Sequence, residues 1–355
     1  MQRRKDIKEN RLDLNAFSRN RLYLFGLAAF SIVAFHYSYD VQKALGLGQI
    51  AMSDNLCYPI FYAYFLFVRS VGVEIFLFLS GMGLYYSYSK DPDPKRFLHK
   101  RMVKIWVPYT ICAAPYWIIR DVFLRGEPWI RVPEDFFFIT FLTEGQHMIW
   151  FVFFIFVMYL LYPWFYKILF QTEHETRNFL LLFAASIAIP VAYSLVAHEA
   201  FVLTNIATLR IPIFVIGCWM GKKIKDHRDI PVWSVFALAA FCTVFRVLTW
   251  HSESAIQARY SAGIFSLGVM VLLVYLMDRY EAHRNKISAP DGPLMRLFRW
   301  AGGYSLEIYL AHVCIRNIFK NLDLNTHEPL VYLGIVVLAI PAAVLIGKLS
   351  ARVHL

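Results

Sequence analysis

Leu22-Tyr23-Leu24-Phe25-Gly26-Leu27-Ala28-Ala29-Phe30-Ser31-Ile32-Val33-Ala34-Phe35-His36-Tyr37-Ser38-Tyr39 is an apolar stretch interrupted by one imidazole. As an α-helix it would rise roughly 27 Å, close to the ~30 Å hydrocarbon core of a bilayer. An ionisable side chain in such a helix is expensive, about 2.5 to 3.5 kcal/mol on insertion scales for fully charged types, and is rarely idle. The reading of this segment as a membrane span decides the fold, because the pattern recurs. Ten candidate spans follow from it: 22–39, 72–89, 105–119, 148–166, 178–197, 207–221, 231–249, 260–277, 302–319 and 330–347. The aromatic piece from Cys57 to Val68 is too short to span and reads as re-entrant or interfacial.

Composition agrees. Apolar residues make up 58% of the 355 and charged residues 17%, against about 45–50% and about 25% in soluble domains. The expected fold class is all-α, a polytopic membrane helical bundle of about ten transmembrane helices. The first segment has no small-x-small cleavage site and is followed by many spans, so it is not a removable signal. The expected organisation is a basic arm over 1–21, flexible or interfacial, one transmembrane domain over 22–350 and a short tail over 351–355.

A net charge of +11 could point to nucleic acid, but the distribution of charge excludes it. Alternate inter-span segments, both ends included, hold 26 Lys and Arg, whereas the intervening loops hold 7. This is the positive-inside bias of a multi-pass protein in the cell (inner or cytoplasmic) membrane, with both termini in the cytoplasm. The lipid bilayer is therefore the first expected partner. The five cysteines have no paired spacing, so neither a disulfide framework nor a metal site is expected.

Three blocks carry the candidate chemistry. With the N terminus inside, His36 lies toward the outer leaflet, where a neutral imidazole can accept a proton from a hydroxyl. The structural alternative is a histidine hydrogen-bonded between helices. The run Arg96-Phe97-Leu98-His99-Lys100-Arg101-Met102-Val103-Lys104-Ile105-Trp106-Val107-Pro108-Tyr109 precedes a span on the basic side. Arg101 and Lys104, three apart, share a helix face, with Arg96 and Lys100 on an adjacent stripe. Such a cluster suits a phosphorylated ligand, or equally a lipid headgroup. The third block, Gly72-Val73-Glu74-Ile75-Phe76-Leu77-Phe78-Leu79-Ser80-Gly81, contains Glu74 and Ser80. Arg210 opens the sixth span, and Glu307 and His312 sit in the ninth; each is also compatible with a structural polar network. No nucleophile elbow, metal pair or phosphate-cradling glycine loop occurs.

The order and spacing of these blocks, together with Trp150 and Tyr159-Leu160-Leu161-Tyr162-Pro163, resemble acyltransferase family 3, a group of multi-pass bacterial membrane enzymes. The resemblance runs from about residue 20 to 350. It implies O-acylation, usually O-acetylation, of an extracytoplasmic or lipid-linked glycan. The implied co-substrate is acetyl-CoA or another acyl-CoA, with no permanently bound cofactor. In that family's pattern His36 is the essential histidine, acting as general base or transient acyl carrier. Arg101 and Lys104, helped by Arg96, would hold the CoA phosphates, while Arg210 and Ser80 would steady the oxyanion. Three departures stand out. Phe25 occupies the family's arginine position, with Arg21 one turn earlier as the substitute the sequence offers. The second arginine of the basic pair is Lys104. An acidic pair is replaced by Ile155 and Phe156, leaving Glu74 or Glu307 as the acidic partner. The competing expectation is a transporter or exporter of a glycan intermediate or small anion.

Overall fold

The computed structural model describes residues 10–44, 46, 58–249 and 254–353. The helices are α1 (Ala16–Arg19), α2 (Arg21–Ala44), α3 (Tyr58–Tyr88), α4 (Pro94–Trp117), α5 (Arg131–Phe136), α6 (Ile139–Glu144), α7 (Trp150–Phe170) and α8 (Glu175–Val196). They continue with α9 (His198–Thr208), α10 (Ile211–Lys225), α11 (Val232–Leu248), α12 (Ala255–Lys286), α13 (Pro293–Gly303), α14 (Ser305–Asn321) and α15 (Pro329–Val353). After Pro108 and Pro115, α4 loosens into a π-helical stretch over Ile118–Leu124, as expected where prolines remove backbone donors.

Every one of the ten expected spans is helical. Eight helical runs among the described residues are long and apolar enough to cross a membrane. The other two, α11 and α14, are 17 residues each. The polar groups Glu307, His312, Arg316 and Lys320 lower the hydropathy of α14, and it turns His312 and Arg316 into the bundle rather than outward. By contrast α8 leaves most of its apolar side chains uncovered, Leu195 and Val196 being 81% and 88% exposed, as a lipid-facing helix must. The segment expected to be re-entrant differs too: from Tyr58 onward it is the first part of α3, one continuous helix of 31 residues, and Cys57 lies outside the described residues.

Contacts sort the inter-helix segments to two ends. At one, β1 (Arg11–Asp13) pairs antiparallel with β2 (Asp229–Pro231). Arg19 reaches Asp278 at 2.6 Å, Tyr23 donates to Asp291 at 2.9 Å, and Lys222 meets Glu175 at 2.6 Å. This is the lysine- and arginine-rich end. The basic arm is thus part of the fold from residue 10, because Leu12, Leu14, Ala16 and Phe17 are buried beneath the helices. At the far end Arg125 donates to Asn321 at 2.7 Å, and His147 meets the carbonyl of Leu203 at 2.6 Å. Arg120 is fully buried there between Asp121 and Asp135, at 3.1 and 3.2 Å. The cysteines form no disulfide among the described residues, although Cys112 and Cys314 bring their thiols within 3.6 Å.

Backbones approach closely where glycines permit. A Cβ on Gly26 would stand 1.9 Å from the carbonyl oxygen of Phe298, and one on Gly302 would stand 1.9 Å from that of Leu22. The two glycines therefore lock α2 and α13 reciprocally. Gly81 and Gly217 do the same for α3 and α10, at 2.5 and 2.3 Å from Phe214 and Phe78. Small residues serve this purpose in lipid, where dispersion contacts must replace the missing hydrophobic drive. Gly26→Val should separate α2 from α13 and cost at least about 1–3 kcal/mol, the usual range for overpacking. The expected readout is a lower melting temperature and a broadened size-exclusion peak in detergent; an unchanged melting temperature would contradict this packing.

Candidate active site

Two helices supply the centre of the site. Along α2, Phe25, Ile32, His36 and Asp40 recur at seven- and four-residue intervals and share a face; along α14, Ser305, Tyr309, His312, Arg316 and Lys320 do so at three- and four-residue intervals. The helices run parallel, so the two stripes meet in register. The imidazoles of His36 and His312 stack, with centroids 5.3 Å apart and planes at 17°. One turn further toward the far end, Asp40 receives Arg316 through both carboxylate oxygens, the Nε bond being 2.7 Å. Lys320 donates to the same carboxylate, and the Thr326 hydroxyl donates at 2.8 Å.

Tyr332 of α15 closes the third side. Its hydroxyl donates to the Val33 carbonyl at 2.6 Å and lies 3.1 Å from His312 Nε2. A phenol has one proton and a carbonyl has none to give, so Nε2 of His312 must be the donor in the second bond. In the neutral ring this leaves His312 Nδ1 as a bare acceptor. That atom and His36 Nδ1 are both buried without a partner among the described residues.

Toward the basic end lies a cavity of about 150 Å³, whose wall includes Phe25, Ile32, Ser80, Ile105, Tyr159 and Tyr309. Ile32 is one helical turn from His36, and Ile105 is one turn from Arg101. At 1.5 Å per residue each is about 6 Å along its axis from the functional residue. The cavity therefore stands between the basic block and the imidazole pair. Tyr159 lies beside Ser80 and within electrostatic reach of Arg101.

The remaining candidate residues divide. Ser80 faces the cavity. Arg101 is half-buried and makes only a long contact, 3.4 Å, to the Gly83 carbonyl; Lys104 is exposed. Arg96 is held apart, bound by Asp91 at 3.0 Å and Asp93 at 3.3 Å, while Asp93 also caps α4 through the Arg96 amide. Glu74 and Arg210 pair with each other at 2.9 Å, and neither is on the cavity wall. Arg210 also donates to the Ile206 carbonyl at 2.5 Å and lies over the Trp150 ring at 4.9 Å. Glu307 packs near Gly347. The carboxylate nearest His36 along α2 is Asp40. Arg21 is exposed, whereas Phe25 stacks on Phe76 at 5.4 Å, so the cavity gains an aromatic wall at that position. The i, i+4 pairs His36/Asp40 and His312/Arg316 were the available signal for the residues the sequence reading missed.

A family model described as an acyltransferase domain, that of acyltransferase family 3, matches residues 23–348. The chain belongs to this family. No curated protein and no solved structure matches it. The matched region contains both histidines, the Asp40 cluster, Arg101 and the whole cavity wall, so the acyltransferase domain and the helical membrane bundle are the same object.

The Asp40 cluster gives the acyltransferase a testable weak point. Asp40→Ala leaves two cations facing each other with no anion between them, and removing one partner of a buried pair costs about 3–5 kcal/mol. The melting temperature in detergent should fall sharply. Replacing Asp40 and Arg316 together by leucine should recover much of the loss; no recovery would mean that the pair does not act as a unit.

Proposed function

We propose that the protein transfers an acyl group from a cytoplasmic acyl-CoA to a hydroxyl of a cell-surface or lipid-linked glycan. The observation that carries this reading is the cavity at a depth between Arg101, one helical turn from its wall residue Ile105, and His36, one turn from its wall residue Ile32 and stacked on His312. The 26-to-7 charge bias supports a cytoplasmic basic end, with both termini inside. Coenzyme A then approaches that end, with Arg101 as a bidentate fork and Lys104 as a point charge on its phosphates. Arg96, already bound by two aspartates, adds little.

The thioester enters the cavity and the acceptor hydroxyl arrives from the far end. His36 takes the hydroxyl proton as the oxygen attacks the thioester carbonyl. The carbon–sulfur bond breaks as the tetrahedral intermediate collapses, and the CoA thiolate leaves with the proton returned by His36. Ser80, on the cavity wall, is the hydroxyl best situated to donate to the developing oxyanion. Tyr332 holds His312 in one tautomer, and His312 in turn holds the His36 ring by stacking. Arg210, committed to Glu74, serves elsewhere.

Two substitutions test the division of labour. His36→Ala should lower acylation at least about 100-fold, the usual floor for loss of a general base, with binding of labelled acyl-CoA to purified protein retained. Arg101→Ala should weaken that binding about tenfold or more. The product readout is mass spectrometry of surface glycans from a deletion strain carrying each variant. A protein that merely moves a glycan across the membrane would bind no acyl-CoA, and persistent acylation with His36→Ala would refute the role given to that residue.

A further inference from the structure

The cavity lies at a depth between two charged regions, yet its wall is mostly apolar. Four of its side chains form a line of rings in tilted or edge contact: Phe25 to Phe76 at 5.4 Å, Phe76 to Phe151 at 5.8 Å, and Phe151 to Tyr309 at 5.5 Å. They come in turn from α2, α3, α7 and α14. Ile32, Val152 and Ile155 line the cavity too, and all three are buried. Among the described residues no Asp, Glu, Lys, Arg or His stands on the wall. Its polar groups are hydroxyls. That of Tyr309 donates to the Met148 carbonyl at 3.3 Å, while Tyr159 lies beside Ser80.

The volume, about 150 Å³, sets a size for the occupant. A cavity of about that size lined by Leu, Ile and Phe stays dry and takes up benzene, a six-carbon ring. An acetyl group would bring only one methyl beyond its carbonyl. Most of the space would stay empty, and side chains facing a void lose their dispersion contacts. A longer hydrocarbon chain restores those contacts. A chain ending in a carboxylate does not suit the wall, because its charge would be buried with no cation there to meet it.

We infer that the cavity is an acyl-chain pocket and that the group transferred is an uncharged chain of about four to six carbons. Ile155, buried on the wall, is one of the residues that limit its length. The inference rests on the acyl-CoA reading proposed above and adds to it the class of acyl group. The reaction itself is unchanged: the acceptor oxygen bonds to the carbonyl carbon, the carbon–sulfur bond breaks, and the proton passes through His36 to the departing thiolate. The Ser80 hydroxyl attends the carbonyl, and the line of rings holds the hydrocarbon beyond it.

The test measures binding of free CoA and of acetyl-, butyryl-, hexanoyl-, decanoyl- and succinyl-CoA to full-length protein in lipid nanodiscs, with uptake by empty nanodiscs subtracted. Each methylene moved from water into an apolar wall should tighten binding about fourfold, so hexanoyl-CoA should bind at least about tenfold more tightly than acetyl-CoA. Decanoyl-CoA should gain nothing over hexanoyl-CoA, and succinyl-CoA should bind no better than free CoA. Ile155→Phe should move the preferred chain toward acetyl, and Ile155→Ala should move it toward longer chains. Opposite shifts of this kind cannot arise from a general loss of folding; no shift in either variant overturns the assignment of the chain to this cavity. Acetyl-CoA binding as tightly as hexanoyl-CoA overturns the inference and leaves the proposed function standing. So does succinyl-CoA binding as tightly as butyryl-CoA, and so does affinity that still rises at decanoyl-CoA, which would make the cavity a groove open to lipid. If neither CoA nor any ester binds, the proposed function falls and the inference falls with it.

Discussion

One carboxylate holds the centre of this protein together. Asp40 takes both oxygens' worth of bonding from Arg316, a further bond from Lys320 and another from Thr326. Buried charge in a bilayer is tolerable only when it is compensated and hydrogen-bonded. Any slip of α2 against α14 by one residue would swing Asp40 away from both cations. The ion pair therefore fixes register, and register is what brings His36 face to face with His312 one turn deeper. The imidazole pair is a consequence of that clamp.

From that fixed point polar chemistry is distributed by depth. The basic end carries the strand pair, the surface ion pairs and the free face of Arg101. The middle carries a cavity whose walls are mostly apolar, with Ser80, Tyr159, Ser305 and Tyr309 as its polar groups. The far half carries the two histidines, the Asp40 clamp, the Arg120 network and the Glu74–Arg210 pair. Reciprocal glycine contacts let α2 meet α13 and α3 meet α10 at backbone distance, so these layers are held by close packing as well as by charge. The proposed transfer would use this ordering, with the donor at the basic end and the acceptor hydroxyl at the histidines.

Family membership and geometry also disagree in a useful way. The arginine of the family's pattern is Phe25 here, and one of the two acidic positions is Ile155. Both side chains line the same cavity. The two departures, unrelated in sequence, meet at one cavity and replace charge there with apolar surface. Of Glu74 and Glu307, the acids nominated to compensate, the first pairs with Arg210 and the second packs beside Gly347.

The sequence by itself determined the helical membrane bundle, the positions of the eight helical runs apolar enough to cross a membrane, the sorting of charge between two sides and the block structure of the family. These follow from local properties, since apolar length and lysine and arginine counts are written along the chain. It also singled out His36, Arg101 and Ser80, each by its immediate neighbours. Only the tertiary structure decided which polar groups meet. Asp40 comes from α2 whereas His312, Arg316 and Tyr332 come from the last two helices, and Arg210 and Glu74 come from two others. Helical spacing says which side chains share a face, but not which other face they confront. The arm shows the same limit: its charges advertised solvent, yet Leu12, Leu14 and Phe17 found cover only because β2, more than 200 residues later, folds beside it. Partners across a bundle are chosen by packing, and packing is a property of the whole chain.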